Sequence, residues 1–339
     1  MTDHKSKARN GQPVGNTTTT YEFQFPQPKE KVPFKHFLYN PKDGTCLGRT
    51  ASSWAKILIF YAIFYAVLAA LFAICLQILF KTISDHEPKY KLGDSLIGEN
   101  PGMGYRPLSE ETERGSIIKL NIQNPKESEY WIELLDDFLE QYKNKTHLPN
   151  GGLNQQHCDF NTKVAEGKSC SVDIDNFGPC SPKQHYGYKN QKPCVFLKLN
   201  KIYGWEPSYY DAADLPSEMS KDLAEHIKSL PLSQQKQIWI SCKGQHSVDN
   251  ELIKNISYYP TRGFPSFYYP YKNVPDYLSP LVAIQIEPAT YNQLISIECR
   301  AWARNIIYSG SIRDRMGSVT FQINIDKPAD NNLNSTASA

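Results

Sequence analysis

FYAIFYAVLAALF, residues 60–72, lies inside a run without charged side chains that extends from Ile57 to Phe80. As a helix rising about 1.5 Å per residue, that run reaches roughly 36 Å, enough to cross a hydrocarbon core of about 30 Å. It is too long for the apolar region of a cleaved signal. Its far end and the residues beyond, LQILFKTISDHEP (76–88), are bulky and then charged, with no small-residue cleavage pattern. The run therefore reads as a retained membrane anchor. Its tyrosines need an explanation, because Tyr65 sits about 12 Å into the span, below the interfacial zone. Tyr61 and Tyr65 are four residues apart and share a helix face, which Leu68 and Phe72 extend. Beside it run two small-residue tracks, Ala62/Ala66/Ala70 and Ala69/Ala73. Small tracks and buried hydroxyls characterise helices that pack against other helices in lipid, so the face predicts a helical partner.

The chain has 339 residues, 40% of them hydrophobic, with a net charge of +2. That supports one domain of about 200 residues plus extensions. Neither the charge nor any basic-aromatic stripe argues for nucleic acid. Basic residues near the helix are nearly balanced: Lys42, Arg49 and Lys56 precede it, and Lys81, Lys89 and Lys91 come after. Orientation rests instead on Cys158, Cys170, Cys180, Cys194, Cys242 and Cys299. All six lie beyond the helix, as expected for an oxidising compartment. Three N-x-S/T sequons lie on the same side, at Asn144, Asn255 and Asn334; Asn16-Thr-Thr on the other side reads as chance. Together they predict a type II protein with its N-terminus in the cytosol.

Six segments are expected. Residues 1–33, polar and rich in Thr, Pro and Lys, form a disordered cytoplasmic tail. Residues 34–56 are a juxtamembrane piece with a turn around Asn40–Gly44 and Trp54 at the membrane surface, and 57–80 are the transmembrane helix. Residues 81–114, rich in Pro and Gly, read as an extracellular stalk. A disulfide-bonded ectodomain occupies 115–327, and 328–339 are a flexible C-terminal tail. In the ectodomain, ESEYWIELLDDFLEQYK (127–143) spaces Trp131, Leu134, Leu135, Phe138 and Tyr142 as an amphipathic helix, with Ser128 as N-cap. Its acids, Glu129, Glu133, Asp136, Asp137 and Glu140, read as a solvated face rather than a metal or acid–base site.

The remainder alternates as strands do. Val319, Phe321, Ile323 and Ile325 share one face of VTFQINI. Ile295, Ile297, Cys299 and Ala301 share one face of ISIECRA, and Ile238, Ile240 and Cys242 one face of QIWISC. VFLKLNKI and LVAIQI are further candidates. The expected fold is an extracellular immunoglobulin-like β-sandwich with one amphipathic helix and long loops. Cys242–Cys299 would join its two sheets, with Trp239 and Trp302 nearby in sequence to pack on the bond. Six cysteines allow 15 pairings; the sequential one, Cys158–Cys170, Cys180–Cys194 and Cys242–Cys299, is expected. Zinc on the first four cysteines with His157 and His185 is disfavoured by the absence of CxxC spacing.

No G-x-S-x-G, HExxH or phosphate-binding loop is present; PGMGYRP (101–107) lacks a third glycine and its flanking elements. No catalytic residue, cofactor or metal site is expected. YYPTRGFPSFYYPY (258–271) gathers tyrosines and phenylalanines around three prolines, which exclude it from a central strand. Two readings stay open: an aromatic loop packed on the sandwich, or an exposed patch for a protein partner.

Phe34-x-x-Phe37-x-Tyr39-Asn40, six residues, Leu47-Gly-Arg-Thr50, three residues, then Trp54, resembles the N-terminal signature of the β-subunits of sodium/potassium-transporting ATPases. The likeness continues through TISDHEPKY, YGYKNQKPCVFLKLNKIYGW, GFPSFYYPY, LSPLVAIQ and IECRAWARNI, covering nearly all of residues 34–327. SLIGENPGMGYRPLSEETERGS is most similar to the insect forms. Ser171, Phe177 and Pro182 depart from the family's cysteine signature, which implies a differently shaped loop there. The resemblance implies a non-catalytic, glycosylated plasma-membrane partner of the pump's catalytic α-subunit, with cysteines paired sequentially. It implies that this partner supports α folding and delivery and modulates K+/Na+ affinity. The helix contact falls on Tyr61, Tyr65 and Phe72, and Tyr268, Tyr269 and Tyr271 are candidates for the ectodomain contact. Expected partners are the α-subunit, membrane lipid and another β-subunit in trans. The alternative is a junction glycoprotein acting partly apart from the pump; a proton/potassium pump β-subunit would share the architecture.

Overall fold

Thr50 begins the long helix. The Ser53 amide donates to its hydroxyl at 3.4 Å, the geometry of an N-cap, and α1 then runs Ala51–Lys81. The helix starts six residues before the uncharged run because Ser52, Ser53, Trp54 and Lys56 continue it. Ahead of it, short strands Tyr39–Asn40, Thr45–Cys46 and Arg49–Thr50 form an antiparallel sheet. The Trp54 indole donates to the Cys46 carbonyl at 2.8 Å. This computed structural model describes residues 34–112, 115–311, 313 and 315–327. The expected tails, 1–33 and 328–339, and the Asn334 sequon lie outside them. The described residues divide into two units, with the boundary between Phe80 and Lys81.

The second unit is sheet-rich. In chain order its elements are β1 (Met103–Arg106), β2 (Ile117–Asn121), α2 (Pro125–Lys143), β3 (Cys194–Leu199), α3 (Lys221–Ser229), β4 (Gln237–Gly244), β5 (Ile253–Tyr259), β6 (Gly263–Pro265), β7 (Val282–Pro288), β8 (Leu294–Trp302) and β9 (Ser318–Asp326). One sheet runs β6-β4-β8-β9-β2 and the other β5-β7-β3-β1. Within these two sheets pairing is antiparallel except between β9 and β2. Strand β1 lies within the stretch read as a stalk, and its Met103 and Tyr105 are buried.

Period-two alternation fills the space between the sheets. Phe321, Ile323 and Ile325 of β9, Ile295, Ile297 and Cys299 of β8, and Val195 and Leu197 of β3 belong to one core. The Tyr105 and Phe321 rings meet across it with centroids 5.1 Å apart. Helix α2 closes one end of this core with buried Trp131, Leu135 and Leu139, and the Trp131 indole donates to the Lys119 carbonyl of β2 at 2.7 Å. The helix starts earlier than its periodicity suggests. Asn124 is the N-cap and Pro125 the first helical residue, a position where proline's missing N–H costs nothing; Ser128 lies inside.

Two expectations fail together. Cys242 and Cys299 are bonded, but they are register partners on neighbouring strands of one sheet, Cα atoms 4.0 Å apart. The bond therefore does not join the two sheets. Trp239 and Trp302 do not cover it. They differ in parity from Cys242 and Cys299, so alternation turns them to the outer face. There they form a second core with Met219 and with Leu223 and Ile227 of α3, a helix that the strand and helix patterns of the sequence did not reveal.

Candidate partner-binding surfaces

On α1 the aromatic residues are ordered by the helix itself. Tyr61 and Tyr65 stack at 6.0 Å between centroids, and Phe60 and Phe64 at 6.2 Å, with Phe60–Tyr61 and Phe64–Tyr65 edge-on at 5.4 Å. At about 100° per residue, Tyr61, Tyr65, Leu68 and Phe72 fall on one side and the alanines on the adjoining side. No residue of α1 is buried. The helix thus carries a preformed aromatic ridge beside a flat alanine strip, a shape that admits close approach of a second helix.

The aromatic segment of the sheet-rich unit turns out to be mostly packed. Phe264 is fully buried. The Tyr268 hydroxyl donates to the Ser171 carbonyl at 3.1 Å. The Tyr269 ring meets Trp205 edge-on at 5.9 Å, and its buried hydroxyl has no hydrogen-bond partner among the described residues. Burial pushes both phenols well above the usual tyrosine range. Tyr271 differs. Its hydroxyl donates to Asn273 Oδ1 at 2.8 Å, and its half-buried ring leans on Tyr277 at 4.8 Å and Tyr203 at 6.3 Å. The Lys201 ammonium lies 5.4 Å from the Tyr271 ring and 5.1 Å from Tyr277, and Lys91 lies 5.0 Å from Tyr203. These are cation–π distances.

The surface patch is therefore Tyr203, Tyr271 and Tyr277 with Lys91 and Lys201, while Tyr268 and Tyr269 hold its loop in place. Tyr203 and Lys201 were missed because they come from KIYGW, some 70 residues earlier in the chain. A backbone bridge brings the two together: the Gly204 amide donates to the Tyr271 carbonyl at 2.8 Å.

The other cysteines pair as Cys158–Cys170 and Cys180–Cys194, which leaves no thiolates for zinc beside His157 or His185. Cys46 and Cys75 are free and exposed. Where the cysteine signature is altered, Phe177 is buried against Phe196 at 5.7 Å and Pro182 opens a 3-10 segment. The acids of α2 do not form one solvated row, since Asp136 accepts from the Tyr186 hydroxyl at 2.6 Å and pairs with Lys143. Among the described residues no group of three or more His, Cys, Asp or Glu is placed to hold a metal ion. Of the sequon residues, Asn144 caps a 3-10 turn, its Oδ1 accepting from Thr146 N–H at 3.1 Å and from the Thr146 hydroxyl at 2.7 Å. Asn255 is exposed on β5, its Nδ2 donating to Ser257 Oγ at 3.0 Å.

Comparison with known proteins agrees with this architecture. A family model described as sodium/potassium ATPase beta chain matches residues 26–321. The chain is 53% identical over 305 residues to sodium/potassium-transporting ATPase subunit beta-1 of Drosophila melanogaster, covering 90% of this chain and 96% of the relative. It is 42% identical over 306 residues to subunit beta-2 of the same organism, covering 89% and 94%. Subunit beta-2 of Homo sapiens is 28% identical over 306 residues, covering 87% and 94%.

Proposed function

The chain belongs to the sodium/potassium ATPase β-chain family of single-pass, non-catalytic pump subunits, and from that premise we propose how it engages the catalytic α-subunit. The ridge of Tyr61, Tyr65 and Phe72 packs against a transmembrane helix of α, with the alanine strip allowing close approach. One observation carries this reading: two stacked tyrosines stand exposed on an apolar helix none of whose residues is buried. In lipid the hydroxyls gain most from a polar partner on a neighbouring helix. The Tyr203–Tyr271–Tyr277 patch is the second contact, reached by an extracellular part of α. Tyr268 and Tyr269 act by holding that loop.

Function arises from binding preference. A multi-span pump carries polar and ion-binding side chains that are costly in lipid until neighbours enclose them. A subunit that binds only folded α stabilises it by mass action and so aids its folding and delivery. Unequal binding to the potassium- and sodium-selective forms shifts apparent cation affinity by linkage. The six paired cysteines support an N-terminus in the cytosol and an ectodomain outside the plasma membrane.

The test is to solubilise the tagged full chain in mild detergent from cells that express it and to identify its stoichiometric partner. A sodium/potassium pump α-subunit, lost with Tyr61→Ala plus Tyr65→Ala, is the expected result. Retention of α with unchanged potassium affinity in that double variant would refute the helix contact. A proton/potassium α-subunit would reassign the pump, and a chain at cell junctions without any α would favour adhesion.

A further inference from the structure

We propose that Asn255 carries an N-linked glycan whose role is to close the open edge of the four-stranded sheet against strand addition by a second copy of this chain. Unpaired edge strands template association, and folded proteins blunt them with prolines, short strands, bulges, charges or covering elements. Among the described residues, three of the four edges of the two larger sheets are blunted by the chain itself. β1 has 4 residues and runs into Pro107, and β6 has 3 residues and ends at Pro265. β2 is covered by α2 through the bond from Trp131 to Lys119.

The fourth edge is different. β5 has 7 residues, with no proline before Pro260. Its register with β7 is interrupted by a bulge between Ile253 and Asn255 and then runs straight from Asn255 to Tyr259. A lysine stands at the bulge, but Lys254 leans back onto its own sheet, 2.8 Å from Glu287, a carboxylate that also receives Lys192 at 3.2 Å. Its charge is thus spent within the sheet instead of projecting from the edge. Asn255 and Ser257 share the solvent face, while Ile256 turns inward opposite Ile286. A sugar on Asn255 Nδ2 would stand at the first residue of the straight ladder, where an incoming strand must dock.

The modification rests on the proposed orientation, in which the ectodomain faces the secretory lumen. Transfer forms a bond from Asn255 Nδ2 to the anomeric carbon of a lipid-diphosphate-linked oligosaccharide. It breaks that carbon's bond to the diphosphate, which leaves with the electron pair, and it releases one amide proton.

The full chain made in animal cells is digested with peptide-N-glycosidase in heavy-oxygen water and mapped by mass spectrometry. Asn255→Gln and Ser257→Ala, both of which destroy the sequon, are then compared with the parent by sedimentation in detergent. Heavy-oxygen aspartate at position 255 is expected, with self-association tightened at least about tenfold in both variants and amide-exchange protection gained at Ile256–Tyr259. A glycan at Asn144 or Asn334 without one at Asn255 overturns this proposal and leaves the orientation intact; glycan at none of the three overturns both. Unchanged association in both variants, or protection gained elsewhere, overturns the guarding role.

Discussion

Cys242 and Cys299 stand opposite each other on neighbouring strands of a single sheet, Cα atoms 4.0 Å apart and directly in register. That spacing suits the close, non-hydrogen-bonded pairs of an antiparallel ladder, and the Cys242 amide donates instead to the Tyr258 hydroxyl at 2.8 Å. The bond closes a sequence separation of 57 residues, so restricting the unfolded chain contributes about 4 kcal/mol. It does not hold the two sheets together. Cys242→Ala/Cys299→Ala should therefore fold with its intersheet packing intact and lose about that amount in denaturant titrations followed by tryptophan fluorescence. A collapsed β-signal in circular dichroism would contradict it.

Asp249 ties the short helix Ser247–Glu251 to β8. Its carboxylate accepts from the Ser296 amide at 3.0 Å and from the His246 amide at 3.0 Å, and its Oδ2 lies 2.9 Å from His246 Nδ1. Burial pushes this carboxyl up, yet the bonds from Ser296 and His246 outweigh burial and hold it below the usual carboxylate range. A depressed folded-state pKa gives stability that is present above the unfolded value, near 3.9, and lost as pH falls through the folded one. Asp249→Asn should destabilise by about 1–3 kcal/mol at neutral pH. It should also flatten the decline of the unfolding midpoint below about pH 4. An acid decline equal to the parent's would remove Asp249 from this role.

The tyrosine ridge separates two contributions. Tyr61→Phe and Tyr65→Phe keep the stacked rings and remove only the hydroxyls, which are worth about 0.6 kcal/mol each between helices in lipid. Co-purification of α should weaken about threefold per hydroxyl and much more with alanine. Equal losses for Phe and Ala would show that the rings contribute nothing.

Leu223 is fully buried beneath Trp239 and Trp302 on the outer face of the five-stranded sheet. Leu223→Ala should cost about 2–5 kcal/mol and release α3, so that limited proteolysis cuts within Lys221–Ser229 while the intersheet core persists. Cleavage spread evenly over the strands would show instead that the two cores unfold as one.

Much of the fold was legible because side-chain parity is a strict rule. The alternation of VTFQINI, ISIECRA and QIWISC placed Phe321, Ile297 and Ile240 inward, and the length of Ile57–Phe80 fixed the membrane helix. The same parity already excluded Trp239 and Trp302 from the face of Cys242 and Cys299, since nearness in sequence does not override alternation. Strand order was not legible. Nothing local says that the strands bearing Cys242 and Cys299 are neighbours, because register is set by the whole sheet. The tyrosine patch was half legible: Tyr271 lay in a conspicuous aromatic run, whereas Tyr203 and Lys201 join it only through the bridge at Gly204. Helix α3 escaped because its apolar face is narrow, Leu223 and Ile227 alone being buried.

The indole of Trp54 holds the Cys46 carbonyl, and the strand Arg49–Thr50 runs directly into α1. Hairpin and helix must then roll as one body about the helix axis, because neither can turn without stretching that bond. The hairpin works as a dial fixed to a shaft: its azimuth sets the compass direction in which Tyr61 and Tyr65 point. Any factor that grips the hairpin can thus steer the ridge without touching the lipid-embedded residues.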